Sequence, residues 1–413
     1  MDTTPRGLRP HIAIFGRRNV GKSSLINALT NQDIALVSPM AGTTTDPVFK
    51  AMELLPLGPV EMIDTAGIDD VGMLGELRIK KTMEVLNKTD LAIIVIDPSV
   101  GVGDYELDLR ERTASRNIPV IWAVNKLDLE PVPAEQLAAW SRQLHSPVIA
   151  VSAVTGSGLD QLKQRIVELA PTALEEPSLV SDLLEPGDLA VLVVPIDLAA
   201  PKGRLILPQV QTLRDLLDHD MMGLVVKERE LRWALESLKK PPRIVITDSQ
   251  AFLKVAADTP DEVMMTSFSI LMARFKGDLT ELVRGAAQVT RLKPGDRVLI
   301  AEACTHHRQA DDIGKTQIPR WLRQYVGGDL QFEWSSGTRY PADLESFDLV
   351  VHCGACMITR REMLHRIAVA RQAGVPIVNY GVLLAFMHGV LERALRPFPL
   401  AAMAWQEARE AAS

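Results

Sequence analysis

The sequence predicts a three-domain α/β protein in which each domain is built on a mainly parallel sheet. The length of 413 residues exceeds the roughly 100 to 200 residues of an ordinary domain. Short aliphatic runs alternate with helical patterns, which is the sequence form of a parallel sheet covered by helices. Hydrophobic residues make up 47% of the chain and charged residues 23%, a balance that excludes wholesale disorder.

The first domain is expected to cover residues 1–172. Its candidate strands are residues 11–15, 48–55, 60–64, 91–97, 119–125 and 147–152. Near-continuous apolar strands indicate burial on both faces of the sheet, which is typical of parallel sheets. A segment with three prolines, residues 170–188, follows this domain and has the composition of a linker.

A phosphate-binding loop follows the first of these strands. The stretch G-R-R-N-V-G-K-S at residues 16–23 fits the pattern G-x-x-x-x-G-K-S, and a helical pattern comes directly after it. Glycines let backbone N–H groups turn toward phosphate oxygens, Lys22 places a positive charge at the β and γ phosphates, and Ser23 can bind Mg²⁺. The loop therefore predicts a nucleoside triphosphate site.

Further motifs at strand ends favour GTP over ATP. The stretch D-T-A-G at residues 64–67 would place Asp64 near the magnesium ion and the Gly67 amide at the γ-phosphate. The stretch N-K-L-D at residues 125–128 ends in Asp128, whose carboxylate can accept hydrogen bonds from two groups that guanine has and adenine lacks. Ser152 and Ala153 follow the next strand, where a backbone amide would meet the guanine oxygen.

These motifs resemble the small GTPases related to the bacterial Era and TrmE proteins, over about residues 10–170. The resemblance implies GTP hydrolysis with Mg²⁺ bound by Ser23 and Thr44, and K⁺ activation through Asn19. Ile68 stands where Ras-type enzymes have a water-orienting glutamine. Catalysis is assigned by this resemblance to Lys22, Thr44, Asp64 and Gly67. Nucleotide binding is assigned to Gly16, Asn19, Val20, Gly21, Lys22, Ser23, Ser24, Thr44, Asp64, Gly67, Asn125, Lys126, Asp128, Ser152 and Ala153.

The middle of the chain, residues 180–260, shows a second α/β series without a motif that carries chemistry. Its candidate strands are residues 189–196, 223–226 and 243–247, and its candidate helices are residues 210–219 and 228–238. A packing or oligomerisation domain is the favoured interpretation.

The last domain, residues 261–413, holds all three cysteines. Its candidate strands are residues 297–302, 330–334, 347–351 and 376–379. Cys304 and His306 come just after the first strand, while His352, Cys353 and Cys356 follow the third. Because ligands bind outside the carboxyl ends of parallel strands, two neighbouring strands would bring the three thiols to one site.

Several interpretations of these cysteines stay open on residue type alone. An odd number of cysteines is not a disulfide framework. Three Cys and one His complete a zinc tetrahedron, and a thioredoxin-like redox pair would use Cys353 and Cys356. Three thiolates also suit an iron–sulfur cluster whose fourth iron site is filled by His or is exchangeable. Buried unreactive cysteines are the remaining interpretation.

The order Cys-x-His, then His-Cys-x-x-Cys, joined to an N-terminal GTPase domain, resembles the HydF-type maturation GTPases of FeFe-hydrogenases. The resemblance implies a 4Fe-4S cluster bound by Cys304, Cys353 and Cys356, with His306 and His352 as motif histidines whose iron binding is left open. It implies a scaffold that carries a transient diiron precursor cluster. The implied partners are the immature hydrogenase, two radical-SAM maturases and a second copy of the chain, in a homodimer or a higher homo-oligomer.

The alternative function is an RNA-associated GTPase of tRNA modification or ribosome assembly with a structural zinc site. The net charge of −7 argues against nucleic acid as the main partner, because phosphate backbones need clustered Lys and Arg. No apolar run reaches the roughly 18 to 20 residues of a membrane span, and the N-terminus lacks the pattern of an export signal. The cytoplasm is therefore the expected location.

Overall fold

A computed structural model describes residues 6–30, 48–55, 57–65, 82–170, 178–195, 205–303, 312–337, 340–341 and 343–412 of the protein. The chain forms two compact units, Met1–Glu176 and Pro177–Ser413. In the part of the chain that the structure describes, no helix is both long enough and apolar enough to cross a bilayer.

The first unit contains one six-stranded sheet. Its strands are β1 His11–Gly16, β2 Val48–Leu54, β3 Gly58–Asp64, β4 Leu91–Ile96, β5 Val120–Val124 and β6 Val148–Ala150. They lie in the order β2-β3-β1-β4-β5-β6, with β2 antiparallel to β3 and the other pairs parallel. Strands that come later in the chain lie on both sides of β1, so the strand order reverses at β1. The loop after β1 therefore lies at the topological switch point of the sheet, where ligands bind in open α/β sheets.

Both faces of this sheet are covered, as the apolar strands predict. Ile12 and Ile14 of β1 belong to one buried apolar cluster, whereas Ala13 and Phe15 belong to another. Successive side chains of a strand point to opposite faces, so this alternation places helices on each side of the sheet. The helices of this unit whose two ends are described are α1 Lys22–Thr30, α2 Asp104–Ala114, α3 Ala134–Leu144 and α4 Leu159–Leu169, after a 3-10 turn at Arg6–Leu8. Residues 82–86 are also helical.

The second unit contains two four-stranded parallel sheets. Their strands are β7 Leu189–Val193, β8 Met222–Val226, β9 Ile244–Thr247, β10 Met264–Ser267, β11 Arg297–Glu302, β12 Gln331–Ser336, β13 Leu349–His352 and β14 Ile377–Asn379. The sheet orders are β10-β9-β7-β8 and β12-β11-β13-β14. In the third sheet of the protein, β12-β11-β13-β14, β11 and β13 are neighbouring parallel strands. Their carboxyl ends therefore lie side by side at the same end of this sheet.

Helices and turns connect these strands. The helices are α5 Leu207–Asp218, α6 Leu231–Ser237, α7 Phe252–Asp258, α8 Phe268–Lys276, α9 Leu279–Gln288, α10 Ile318–Val326, α11 Arg360–Gln372, α12 Tyr380–Met387, α13 Leu391–Leu395 and α14 Pro399–Ala412. The 3-10 turns are Ser181–Leu183, Ser249–Ala251, Val289–Arg291 and Leu344–Ser346, and Ile313–Gln317 is a π-helical turn. Several helices begin at a capping side chain; Asn379, for example, accepts a hydrogen bond from the Val382 amide at 2.9 Å and starts α12.

One apolar core lies under both sheets of the second unit and extends from Leu179 to Trp405. The predicted α/β class is confirmed, and so is the prediction of a mainly parallel N-terminal sheet followed by two further parallel sheets. The strand β10 was not among the predicted strands, and it lies beyond residue 260, where the sequence placed a domain boundary. That functional boundary stays a prediction.

Candidate functional site

The phosphate loop contains hydrogen bonds of two predicted nucleotide-binding side chains, Lys22 and Ser23. The ammonium group of Lys22 donates hydrogen bonds to the carbonyl oxygens of Gly16 at 3.0 Å and Arg17 at 2.8 Å. The Ser23 hydroxyl donates to an Asp64 carboxylate oxygen at 2.6 Å. Ser23, a predicted magnesium ligand, is therefore in direct contact with Asp64, which the sequence places near the magnesium ion.

The surroundings of the Asp64 carboxyl change its pKa. Burial raises its pKa above the ordinary value, and this effect exceeds the opposing effects of the Ser23 hydrogen bond and of the charges on Lys22 and Lys50. A Mg²⁺ ion beside this carboxylate would offset the cost of burying its charge.

One amide side chain joins the phosphate loop to the loop after β6. The Asn125 side chain, which is buried, donates to the Val20 carbonyl at 3.0 Å and accepts from the Ala153 amide at 3.1 Å. A Cβ atom on Gly21, whose φ is +91°, would lie 2.4 Å from Asn125 Nδ2. This close approach requires glycine at position 21.

The predicted guanine-reading residues also come together. The Lys126 ammonium donates to an Asp97 carboxylate oxygen at 2.8 Å. Burial opposes ionisation of Asp97, yet hydrogen bonds from Lys126 and Ser99 outweigh it and lower the Asp97 pKa. The Ser152 hydroxyl donates a hydrogen bond to the Asp128 carboxylate at 2.5 Å. This bond holds the side chain of Asp128, which is exposed at the surface.

The remaining predicted nucleotide residues divide into those that the structure describes and those outside it. Asn19 and Ser24 are exposed, and Asn19 has a left-handed backbone with φ of +59°, whereas Val20 is buried. Thr44 and Gly67 lie outside the described residues. The structure therefore brings the phosphate, magnesium and base motifs together and leaves the roles of Thr44 and Gly67 as predictions.

An ion pair that sequence reasoning missed supports the phosphate loop. The Arg17 guanidinium donates to both oxygens of Glu106 at 2.9 and 2.8 Å, and Glu106 also accepts from the Gly103 amide at 2.9 Å. Glu106 is 0% exposed. It is 89 positions from Arg17 in the chain, so no local pattern could have linked them.

The loop after β13 carries two of the three cysteines. Cys353 is buried and Cys356 is half-buried. The Cys353 amide donates to the Ala301 carbonyl at 2.9 Å, and its Sγ accepts a hydrogen bond from the Ala303 amide at 3.1 Å. Ala303 is the residue before Cys304, which lies outside the described residues together with His306.

His352 is completely buried, and both of its ring nitrogens have partners. Its Nδ1 lies 2.8 Å from the Cys353 carbonyl oxygen, and its Nε2 lies 3.0 Å from Nη1 of Arg366. Both ring nitrogens of this motif histidine are therefore engaged in these contacts, and its iron binding stays a prediction.

The donor set at this edge of the third sheet suits a thiolate-bound metal centre. Backbone N–H donation to Sγ stabilises a thiolate, and among the described residues a Cβ on Gly354 would meet no atom within 4 Å. Among the described residues, no group of three His, Cys, Asp or Glu side chains is placed to hold a metal ion. The third predicted ligand, Cys304, is outside that set.

A half-buried tyrosine lies beside the cysteine loop. The Tyr380 hydroxyl donates to Glu302 at 3.2 Å. Burial first, and then the negative charges of Glu302 and of a Cys353 thiolate, raise the Tyr380 pKa well above its ordinary value. Tyr380 therefore stays a neutral hydrogen-bond donor next to Cys353. The sequence analysis singled out neither Tyr380 nor Glu302.

Family models match three consecutive parts of the chain. The model described as 50S ribosome-binding GTPase matches residues 11–126. The Hydrogen maturase F dimerization domain matches residues 179–277, and the Hydrogen maturase F tetramerization domain matches residues 280–397. The last two together span more than half of the chain. The first unit thus contains a GTPase domain.

Curated relatives match a smaller part of the chain. The tRNA modification GTPase MnmE of Desulfotalea psychrophila is 38% identical over 158 residues, which are 38% of this chain and 33% of that protein. GTPase Der of Wolinella succinogenes is 34% identical over 166 residues, 38% of this chain and 35% of that protein. This chain spans about a third of the length of these relatives. A crystal structure of Era from Aquifex aeolicus, 19% identical, covers 82% of this chain and 97% of that one with a TM-score of 0.35.

Proposed function

The chain belongs to the hydrogen maturase F family, and from this premise we propose that it hydrolyses GTP and carries a 4Fe-4S cluster on which the diiron subcluster of FeFe-hydrogenase is assembled and delivered. One observation supports the cluster most directly. The amide of Ala303, the residue bonded to Cys304, donates to the sulfur of Cys353 at 3.1 Å. The stretch that contains Cys304 therefore begins beside Cys353.

The GTPase chemistry follows from the contacts in the first unit. Lys22 would carry positive charge to the β and γ phosphates, and the Ser23–Asp64 pair would bind Mg²⁺, Asp64 through its coordinating water. Asp128 would read the N1–H and 2-amino groups of guanine. In this proposal Thr44 completes the magnesium site and the Gly67 amide meets the γ-phosphate.

We further propose that K⁺ takes the place of the missing glutamine by stabilising charge on the transferred phosphoryl group. The exposed Asn19 would bind it. GTP hydrolysis should be faster in KCl than in NaCl, and Asn19→Gly should abolish the difference. Glycine is chosen because it adopts a φ of +59° without strain while removing the side-chain oxygen. Equal parent rates in the two salts would remove K⁺ from the mechanism.

The cluster site would use three thiolates, Cys304, Cys353 and Cys356. A 4Fe-4S cluster held by three thiolates supplies one iron at which a precursor can bind and leave. The chain's own groups hold the ligands: the Ala303 amide stabilises the Cys353 thiolate, and Tyr380 remains a neutral neighbour that adds no charge. The immature hydrogenase and two radical-SAM maturases are the proposed partners. The reduced thiols that the site needs place this work in the cytoplasm.

Homo-oligomer formation is supported by the dimerization and tetramerization domain matches. We propose that the edge strand β8 of the second sheet contributes to the dimer interface. Met222 and Val225 of this strand are 53% and 39% exposed. An edge strand with exposed apolar side chains pairs readily with the same strand of a second copy.

Anaerobic reconstitution tests the cluster assignment. The parent protein and a Cys304→Ser, Cys353→Ser, Cys356→Ser variant are incubated with iron and sulfide, and iron, sulfide and hydrogenase activation are then measured. We expect about four irons and four sulfides per parent chain and none in the variant, which should also fail to activate the hydrogenase. A variant that keeps its cluster and activates fully would refute the ligand assignment.

The same preparation tests the alternative of an RNA-associated GTPase with zinc. The match to the 50S ribosome-binding GTPase model over residues 11–126 is the observation that favours it. Stoichiometric zinc together with tight RNA binding would support that function. Iron with sulfide and no tight RNA binding would support the maturase.

A further inference from the structure

A buried arginine lies behind the cysteine loop. The Arg366 side chain on α11 is 1% exposed and makes contacts in three directions. It donates to a Glu362 carboxylate oxygen at 3.2 Å, lies 3.0 Å from His352 Nε2, and donates to the Gly337 carbonyl at 2.7 Å. Its guanidinium also lies over the Tyr340 ring, 5.4 Å from the centroid. A buried charge with this many partners holds its surroundings in one arrangement.

The chemistry of arginine determines the state of His352. A guanidinium has only N–H donors and remains protonated, so the His352 Nε2 that meets it must be an acceptor. The ring proton is then on Nδ1, which lies 2.8 Å from the Cys353 carbonyl oxygen and donates to it. The contact runs from Arg366 through the imidazole to the backbone of Cys353.

At least three hydrogen bonds consequently hold Cys353. Its amide donates to the Ala301 carbonyl at 2.9 Å, its sulfur accepts from the Ala303 amide at 3.1 Å, and its carbonyl accepts from His352. The first contact comes from Ala301 in β11, and the second comes from Ala303, the residue directly after that strand. The third depends on a single side chain, whose orientation and tautomer Arg366 sets.

We propose that Arg366 is the positioning residue of the cysteine loop, and that it acts through His352, which supports the Cys353 backbone and does not bind iron. This inference rests on the proposed cluster site. Lysine could not replace Arg366 fully, because one ammonium group cannot reach Glu362, His352 and Gly337 with the fixed fork of a guanidinium.

The test compares full-length His352→Gln, Arg366→Gln and Arg366→Lys variants, the double Gln variant, and Arg371→Gln as a matched control. Arg371 is an exposed arginine on the same helix. Each protein is reconstituted anaerobically in competition with an iron chelator, and iron and sulfide per chain are measured. The reduced clusters are then examined by electron–nuclear double resonance in protein labelled with ¹⁵N-histidine.

Removing a partner that orients a metal ligand typically lowers metal affinity by about 10- to 100-fold. We expect losses in this range for Arg366→Gln and for His352→Gln, a smaller loss for Arg366→Lys, and none for the control. The double variant should lose no more than the worse single variant, because both residues act through one contact. The clusters that still form in His352→Gln should keep the parental g-values and nitrogen couplings.

Two measurements distinguish a loss of folding from a loss of loop positioning. Thermal unfolding of the cluster-free proteins reports whether each variant folds, and His352→Gln removes the contact to Cys353 without removing Arg366. That substitution leaves Arg366 its bonds to Glu362 and Gly337, so this variant decides the question if Arg366→Gln fails to fold. Parental cluster affinity in a folded Arg366→Gln would overturn the inference. A strong histidine-nitrogen coupling in the parent that disappears in His352→Gln would also overturn it. Failure of the parent to take up iron and sulfide would instead overturn the proposed cluster site itself.

Discussion

Replacement of Asn125 by alanine should loosen the phosphate loop and the base-reading loop together. This buried amide donates to the Val20 carbonyl at 3.0 Å and accepts from the Ala153 amide at 3.1 Å. Alanine removes both bonds and offers no substitute. The direct side-chain link between the two loops that Asn125 provides would then be lost.

The magnitude follows from the burial of the two orphaned groups. Val20 is 0% exposed, so its carbonyl loses a partner without gaining water, at a cost of about 1 to 3 kcal/mol. Ala153 is half-buried and can be hydrated, so its bond is worth only about 0.5 to 1.5 kcal/mol. The sum is about 1.5 to 4.5 kcal/mol, or roughly 5 to 15 °C in the melting temperature of a domain of this size.

Calorimetric unfolding and GDP titration of the full chain measure the two consequences. In the variant, the nucleotide must order loops that the parent already holds, so the Kd for GDP should rise. At the lower end of this range, about 1.5 kcal/mol, the rise is about tenfold. Asn87→Ala is the control, because the bond from Arg116 to the Asn87 amide oxygen is long, at 3.4 Å. An Asn125→Ala protein with parental melting temperature and GDP affinity would refute the reasoning.

Three further outcomes are expected. Gly21→Ala should abolish GDP binding, because its Cβ would clash with Asn125. Gly156→Ala is the control: its Cβ would meet no atom of the described residues within 4 Å, so the substitution should cost only the strain of a φ of +81°. Equal GDP affinities in the two variants would contradict the clash. Since burial raises the pKa of Asp64, its carboxyl takes up a proton at a higher pH than usual, and Mg²⁺-dependent GTP binding should weaken by about tenfold for each pH unit below that pKa. A Mg²⁺ titration that gives one Kd from pH 7 to pH 4 would exclude this role. Val225→Asp should shift the oligomer toward smaller species in sedimentation, while Val154→Asp, at a valine that is 81% exposed in the first unit, should leave it unchanged, and an unaltered Val225→Asp oligomer would exclude β8 from the interface.

The nucleotide motifs were predictable because their geometry is local. A strand, a tight loop and a helix follow one another in the chain, so residues 11–30 specify the phosphate loop without long-range information. Most of the strands were found for the same reason, since strands such as β1, β4 and β7 are short apolar runs bounded by polar residues. The strand β10 was missed because its sequence, M-M-T-S, is only four residues long and half polar.

The supporting contacts were beyond sequence reasoning. Arg17 meets Glu106 across 89 positions, and Arg366 meets His352 across 14 positions that include a strand end, a loop and the start of a helix. Nothing in the types of these residues distinguishes them from solvated surface charges. Only burial and direction separate the two cases, and both arise from packing that the fold has to supply.

The apolar interior that runs without a break beneath the second and third sheets has a thermodynamic consequence. A polypeptide cut between residues 277 and 280, where the two maturase matches meet, would expose on each fragment a face that now excludes water. Calorimetry of residues 177–413 should therefore show one melting transition and not two. Self-association and the proposed cluster binding would then be lost together, because both depend on one cooperatively folded unit.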